Sequence, residues 1–411
     1  MRLTMKRPQG NRDGSAGVGP GVRTLGARLV AFLVAPLLMG GLMAGCADEY
    51  PQSSISPHTD FAEIIHSLYV SIFWWSMLIL AVVWLLLAWV IVKYRRKSED
   101  EKPRQIRGHL GLEIGWTIGP ALIVIAIAIP TVQAVFATQQ PVSEDALEVE
   151  VVGHQFWWEF HYPEQGVTTA NELWLPVDRP VNLRLESNDV IHSFWVPKLG
   201  GKRDVNPVPA VREGQDPKYN WLYFTPQETG VFMGQCAEFC GQSHALMAMR
   251  VVVESEEGFQ DWVDRWFASE GAALPAGAEP DAETELQMPG EEPDVQEDEE
   301  LQAVDQDEDP MVTLGRETFL NSTCVACHGV EGTSAQGVIG PNLTLFGARS
   351  TLGAGIMENN RENLVRWIID PQGIKAAVAM PGTEYPGGNW PATGLSDGEV
   401  EAVAAYLLSL K

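Results

Sequence analysis

Two stretches without a charged side chain constrain this chain most: Leu68 to Val92, and Ile114 to Phe136. Each is long enough to cross roughly 30 Å of hydrocarbon as a helix, a form that satisfies its own backbone in the absence of water. Residues 68–92 and 111–137 are therefore expected to be transmembrane helices. Between them stand Lys93, Arg95, Arg96, Lys97, Lys102, Arg104 and Arg107, against only Glu99, Asp100 and Glu101. Positive loops stay in the cytoplasm. This places the hairpin loop, residues 93–110, inside, and the chain beyond the second span outside. The competing reading is a pair of core helices in a soluble protein.

Upstream, Arg2, Lys6, Arg7, Arg12, Arg23 and Arg28 precede a short apolar run, Leu29 to Met43, and then Ala44-Gly45-Cys46. A positive start, a short apolar core and small residues before the break fit a secretory signal peptide over residues 1–45. Small residues directly before a cysteine also resemble a bacterial lipoprotein site, which makes Cys46 a lipidation candidate. Plain signal cleavage is the alternative. Residues 46–67 would then be an exported N-terminal segment.

From Leu147 to Val253 the pattern changes to short β-type runs: 147–152, 181–185, 220–224 and 249–253, separated by turn residues such as Asn188-Asp189 and Gly200-Gly201. This predicts a small antiparallel sandwich or barrel, closed by an amphipathic helix over 257–268. Residues 145–268 form this domain. The chain carries 28 Lys+Arg against 54 Asp+Glu, a net charge of −26, which argues against a nucleic-acid partner. Sixteen of the acidic residues lie between Glu270 and Asp309, with no Lys or Arg among them. Residues 269–310 lack aromatics and are rich in Pro, Gly and Ala, so they read as an extended acidic linker. Helices are expected over 312–320, 361–369 and 396–410, the last opened by the capping-box sequence Ser396-Asp-Gly-Glu399. Residues 311–411 are thus a small, mainly helical domain.

Two constellations carry chemistry. Cys236-Ala-Glu-Phe-Cys240-Gly-Gln-Ser-His244-Ala-Leu-Met247 gathers two thiols, an imidazole and a thioether in one short segment. Soft sulfur with imidazole suits copper, and a weak Met ligand is typical of electron-transfer copper sites. Two cysteines so close can bridge a pair of copper ions, and His192, near a strand end, is placed to add a second imidazole. Zinc and a Cys236–Cys240 disulfide are the competing readings. The second constellation is Cys324-Val-Ala-Cys327-His328 in an exported segment. Two thiols can form thioethers to haem vinyl groups while the adjacent histidine supplies an axial ligand. Downstream stand two methionines, Met357 and Met380, the latter followed by Pro381. His58, His66, His109, His154 and His161 read as surface or packing residues.

With these motifs, residues 60–268 resemble subunit II of cytochrome c oxidase in the haem–copper family, and residues 311–411 resemble class I cytochrome c. The fold implied is two transmembrane helices, then an all-β cupredoxin barrel, then an all-α cytochrome c domain. The resemblance implies a binuclear copper A centre held by His192, Cys236, Cys240, His244 and Met247, with Glu238 binding through its backbone carbonyl. The Glu238 side chain corresponds to a ligand of a magnesium ion shared with subunit I. Gly153-His-Gln-Phe-Trp-Trp158 resembles the family's aromatic patch where electrons are received. Its first aromatic is Phe156, where many members have tryptophan, so Trp157 is an alternative; sheet packing is the plainer role for Phe156, Trp157 and Trp158. Glu113 matches a glutamate near the mouth of a proton pathway, although a helix N-terminus also favours an acidic residue. Cys324 and Cys327 would bind one haem c covalently, with His328 and Met380 as axial ligands.

The function implied is electron transfer from the fused haem to copper A and on to subunit I, where oxygen is reduced to water with proton translocation. Partners would be subunits I and III and an upstream donor, either another cytochrome or a quinol:cytochrome c reductase complex. The location would be a bacterial cell membrane, with both metal domains on the periplasmic or extracellular side. A tether of some forty residues, with a reach of very roughly 35 Å, would keep the haem at high effective concentration near the copper domain. The alternative function is a membrane-anchored electron carrier or copper-delivery lipoprotein without an oxidase core. A quinol oxidase subunit would keep the fold but lack copper, against which the complete ligand set stands.

Overall fold

The computed structural model describes residues 50–96, 98, 105, 108–141, 143, 145–208, 218–268 and 309–411. The expected signal peptide, Cys46 and the acidic segment up to residue 308 lie outside the described residues, as does most of the loop between the two spans.

Helices α1 (Asp60–Lys93) and α2 (Leu110–Ala137) are long and apolar enough to cross a membrane, and their most hydrophobic windows are not buried by the rest of the protein. Large apolar side chains such as Trp74, Leu85 and Leu122 point outward. That is a costly arrangement in water and a favourable one in lipid. Helix α1 starts eight residues before the charge-free run, because Thr59 caps it. The Thr59 hydroxyl accepts from Ala62 N at 3.0 Å and donates to Leu199 O at 2.6 Å. Asp60 accepts from Thr225 N at 2.7 Å, and Phe61 is buried in the neighbouring β domain. The first turn of α1 thus belongs to that domain, which the hydropathy pattern alone did not show.

The β domain contains β1 (Leu147–His154), β2 (Trp157–Tyr162), β3 (Val167–Ala170), β4 (Glu172–Pro176), β5 (Val181–Ser187), β6 (His192–Trp195), β7 (Arg203–Val205), β8 (Asn220–Phe224), β9 (Gly230–Cys236) and β10 (Ala248–Glu254). They form two five-stranded sheets, in the orders β3-β2-β1-β5-β8 and β4-β10-β9-β6-β7. The expectation of a purely antiparallel domain is corrected: β1 pairs with β5 in parallel, and β4 with β10. Alternate residues of β1 and β5 are buried, including Leu147, Val149, Val151, Leu183 and Leu185, so both inner faces share one core. Helix α3 (Glu256–Ala268) closes one end, burying Phe259, Trp262, Val263 and Trp266. Trp262 stacks on Trp174 with ring centroids 5.5 Å apart. Full burial of side chains of this size is worth roughly 2–3 kcal/mol each.

The C-terminal domain has α4 (Pro310–Asn321), a two-residue pairing of β11 (Thr351–Leu352) with β12 (Met357–Glu358), α5 (Arg361–Ile369), the single turn α6 (Pro371–Ile374) and α7 (Asp397–Ser409). Asp309 caps α4, accepting from Met311 N at 2.9 Å. The expected capping box is present in α7: the Glu399 carboxylate accepts from Ser396 N at 2.8 Å. Phe319, Leu364, Ile368, Val400, Tyr406 and Leu407 form the core.

Candidate metal centres

Strands β6 and β9 lie side by side, pairing Phe194 with Cys236. This register brings His192, at the start of β6, to the loop that follows β9. The sulfurs of Cys236 and Cys240 lie 3.9 Å apart, and His192 Nδ1 lies 3.9 Å from Cys236 Sγ. From Cys240 Sγ, His244 Nδ1 is 3.7 Å away and Met247 Sδ 3.8 Å. The Glu238 carbonyl oxygen lies 3.2 Å from Cys236 Sγ. Every expected donor therefore converges on one volume. Among the described residues, His192, Cys236 and Cys240 are the one group of three His, Cys, Asp or Glu residues whose ligand atoms all lie within 4.8 Å of one another.

Electrostatics prepare this cluster for a soft cation. The contact between the two thiols draws Cys236 below the ordinary thiol range and pushes Cys240 above it. His192 is fully buried, which opposes its protonation, but its Nε2 is held 2.7 Å from Asp189 Oδ1 and the net shift is upward. That contact leaves Nδ1 facing Cys236. Asp189 orients the His192 ring and was not singled out from the sequence; its position three residues before His192 was the available signal. The Glu238 side chain and Phe239 are exposed beside the loop. Paired thiols, two imidazoles and a thioether fit copper better than zinc, for which the thioether is superfluous.

The Cys324–His328 segment forms a tight turn, with Cys327 N and His328 N both donating to Cys324 O. It lines a largely apolar cavity with Met380, Leu343, Phe346 and Trp390; the space is about 1240 Å³ including its open mouth. His328 Nδ1 hydrogen-bonds Pro341 O at 2.8 Å, so Nε2 is left for a ligand, and desolvation keeps the ring below the ordinary histidine range. A Cβ on Gly340 would lie 2.8 Å from His328 Cε1, so the chain must be bare there. These residues fit a covalently held haem. Met380 lines the cavity, whereas Met357 sits in β12 against the helical core.

The aromatic candidates separate. Trp158 is fully buried, edge-on to His192 and Phe194. Phe156 is buried, and Trp157 is half-buried and stacked on His154 at 4.1 Å. Phe156 and Trp157 line the same cavity as Cys324 and Met380, although they belong to the β domain. Glu113 lies in the first turn of α2.

Family comparisons agree with this arrangement. The family model for the transmembrane domain of cytochrome c oxidase subunit II matches residues 48–134, that for its periplasmic domain residues 165–256, and that for cytochrome c residues 312–411. Cytochrome c oxidase subunit 2 of Alkalihalophilus pseudofirmus is 34% identical over 375 residues, covering 90% of this chain and 94% of that protein. The chain belongs to the cytochrome c oxidase subunit II family. The Bacillus subtilis protein of the same name is 33% identical over 404 residues, covering 93% of this chain and 98% of its own length. A Bacillus cereus quinol oxidase subunit 2 is 31% identical but covers 57% of this chain. Among solved structures, the periplasmic domain of subunit II of a Bradyrhizobium japonicum cytochrome oxidase is 29% identical over 30% of this chain, with a TM-score of 0.26. As a family member with a cytochrome c domain, the chain is a membrane-anchored component of an oxidoreductase complex, and its two families imply copper and haem.

Proposed function

We propose that this chain is the electron-receiving subunit of a proton-translocating cytochrome c oxidase, with two metal centres of its own. His192, Cys236, Cys240, His244, Met247 and the Glu238 carbonyl would hold a binuclear copper A centre. Cys324 and Cys327 would attach one haem c, and His328 and Met380 would be its iron ligands. When bound, these groups supply one-electron relay towards oxygen reduction in subunit I. The chain's own residues orient and shield them: Asp189 sets the His192 ring, Pro341 sets His328, and the β core keeps water from the thiols. The convergence of six donors around Cys236 and Cys240 carries this reading.

In it, α1 and α2 anchor the chain in a bacterial membrane beside subunits I and III, with both soluble domains on the outer face. The exposed Glu238 carboxylate is offered towards a magnesium ion shared with subunit I, and Glu113 towards a proton pathway. The external donor is a cytochrome or a quinol:cytochrome c reductase complex that reduces the fused haem. Gentle-detergent purification of the tagged chain should bring down a large, haem-bearing membrane partner. A stable free monomer with its own haem and copper would contradict the subunit role and favour the carrier reading.

A further inference from the structure

A single turn of the β domain separates the two candidate centres. Gln155, Phe156 and Trp157 wall the cavity that holds Cys324, Cys327, His328 and Met380. On its other side this turn meets the copper loop. Gln155 Nε2 donates to Cys240 O at 2.5 Å, and the Phe156 ring packs so closely on Gly241 that a Cβ there would lie 3.0 Å from it. The turn is a shared wall.

The contact that joins the C-terminal domain to this wall is a lysine. Lys375, only 2% exposed, follows α6 and donates from Nζ to Phe156 O at 2.6 Å and to Gly353 O at 2.9 Å, one carbonyl from each domain. Burying an ammonium is unfavourable unless hydrogen bonds replace its water, and removing it strands both carbonyls. Other polar contacts between the two domains flank it. Ser243 Oγ donates to Ala376 O at 2.5 Å, Ala248 N to Ala354 O at 3.0 Å, and Ser350 N to Glu172 Oε1 at 2.8 Å.

We infer that Lys375 is a positioning residue that clamps the C-terminal domain onto the Gln155–Trp157 turn, keeping the haem cavity and the copper loop on opposite faces of one wall. The functional consequence rests on the electron-transfer reading. In that reading one electron would pass from the haem, oxidised, to the copper, reduced, with the Phe156 wall between them and no bond or proton moving.

The test uses the full chain, loaded with copper and haem, and the variants Lys375→Met and Lys375→Gln, whose amide can still reach one carbonyl. Amide exchange at Ala248 and Ser350 should speed up about tenfold or more in Lys375→Met and less in Lys375→Gln, with α7 unchanged. Flash-induced haem-to-copper transfer should slow by a similar factor while both metal spectra match those of the parent. A cross-link between Glu172→Cys and Ser350→Cys in the Lys375→Met background should restore it. Unchanged exchange and transfer in Lys375→Met would overturn the clamp and leave the electron-transfer reading standing. If that variant does not fold, unchanged exchange and transfer in Lys375→Ala does the same. A parent chain that binds neither metal would overturn the electron-transfer reading and its consequence here, while amide exchange would still decide the clamp.

Discussion

Glu159 shows how a single side chain on the β domain ties stability to pH. Burial would raise its pKa, but hydrogen bonds from His154 at 2.7 Å and His161 at 3.1 Å outweigh it and bring the value from 4.5 to about 2. A carboxylate depressed in the folded state adds stability above its unfolded pKa and loses it as the pH falls through the folded one. The Glu159 contribution, at most roughly 3 kcal/mol, should therefore be present at neutral pH and fade between 4.5 and 2. His161 is raised by the same pair against its own burial, so its share is present below 6.5 and lost as the pH rises through the raised value. Chemical denaturation of Glu159→Gln should show lower stability than the parent at neutral pH, with the gap closing in acid. A constant gap would contradict this. At this scale the two candidate clusters that the structure draws together were legible, because their side chains are chemically rare and closely spaced. Asp189 and Lys375 were not: an aspartate beside an asparagine reads as turn chemistry, and Lys375, whose partner Phe156 is 219 residues away, reads as solvated surface.

Among the elements, the crossing of α4 and α7 depends on one missing side chain. A Cβ on Gly315 would lie 1.9 Å from the Ala402 carbonyl oxygen, so the two helices touch backbone to backbone. Gly315→Ala should destabilise the C-terminal domain by about 1–3 kcal/mol through overpacking. Gly398→Ala, where a Cβ meets nothing within 4 Å, should be neutral or slightly stabilising. Thermal unfolding followed at the haem band separates the two; equal behaviour would refute the crossing. Elements with strong periodicity were readable from sequence. The run 220–224 and the helix 361–369 have the expected bounds, and helix 257–268 differs by one residue. Strand β6 was missed because it is buried on both faces and shows no alternation. The parallel pairing of β1 with β5 depends on residues some thirty apart, which no local pattern records.

At the scale of the whole molecule, two apolar helices, a two-sheet β domain and a helical domain follow in the expected order, and the family comparisons match each in turn. Domain order could be read because hydropathy period and motif spacing change sharply at each boundary. The docking of the C-terminal domain on the β domain could not, since its contacts join residues far apart in the chain, as Ser243 with Ala376. The central claim is that one polypeptide holds both centres, at His192–Met247 and at Cys324–Met380. Copper and iron should be measured together on the purified full chain after haem maturation and copper loading. The prediction is two coppers per haem iron, with a mixed-valence near-infrared band. Haem iron without copper, or zinc in the place of copper, would contradict it.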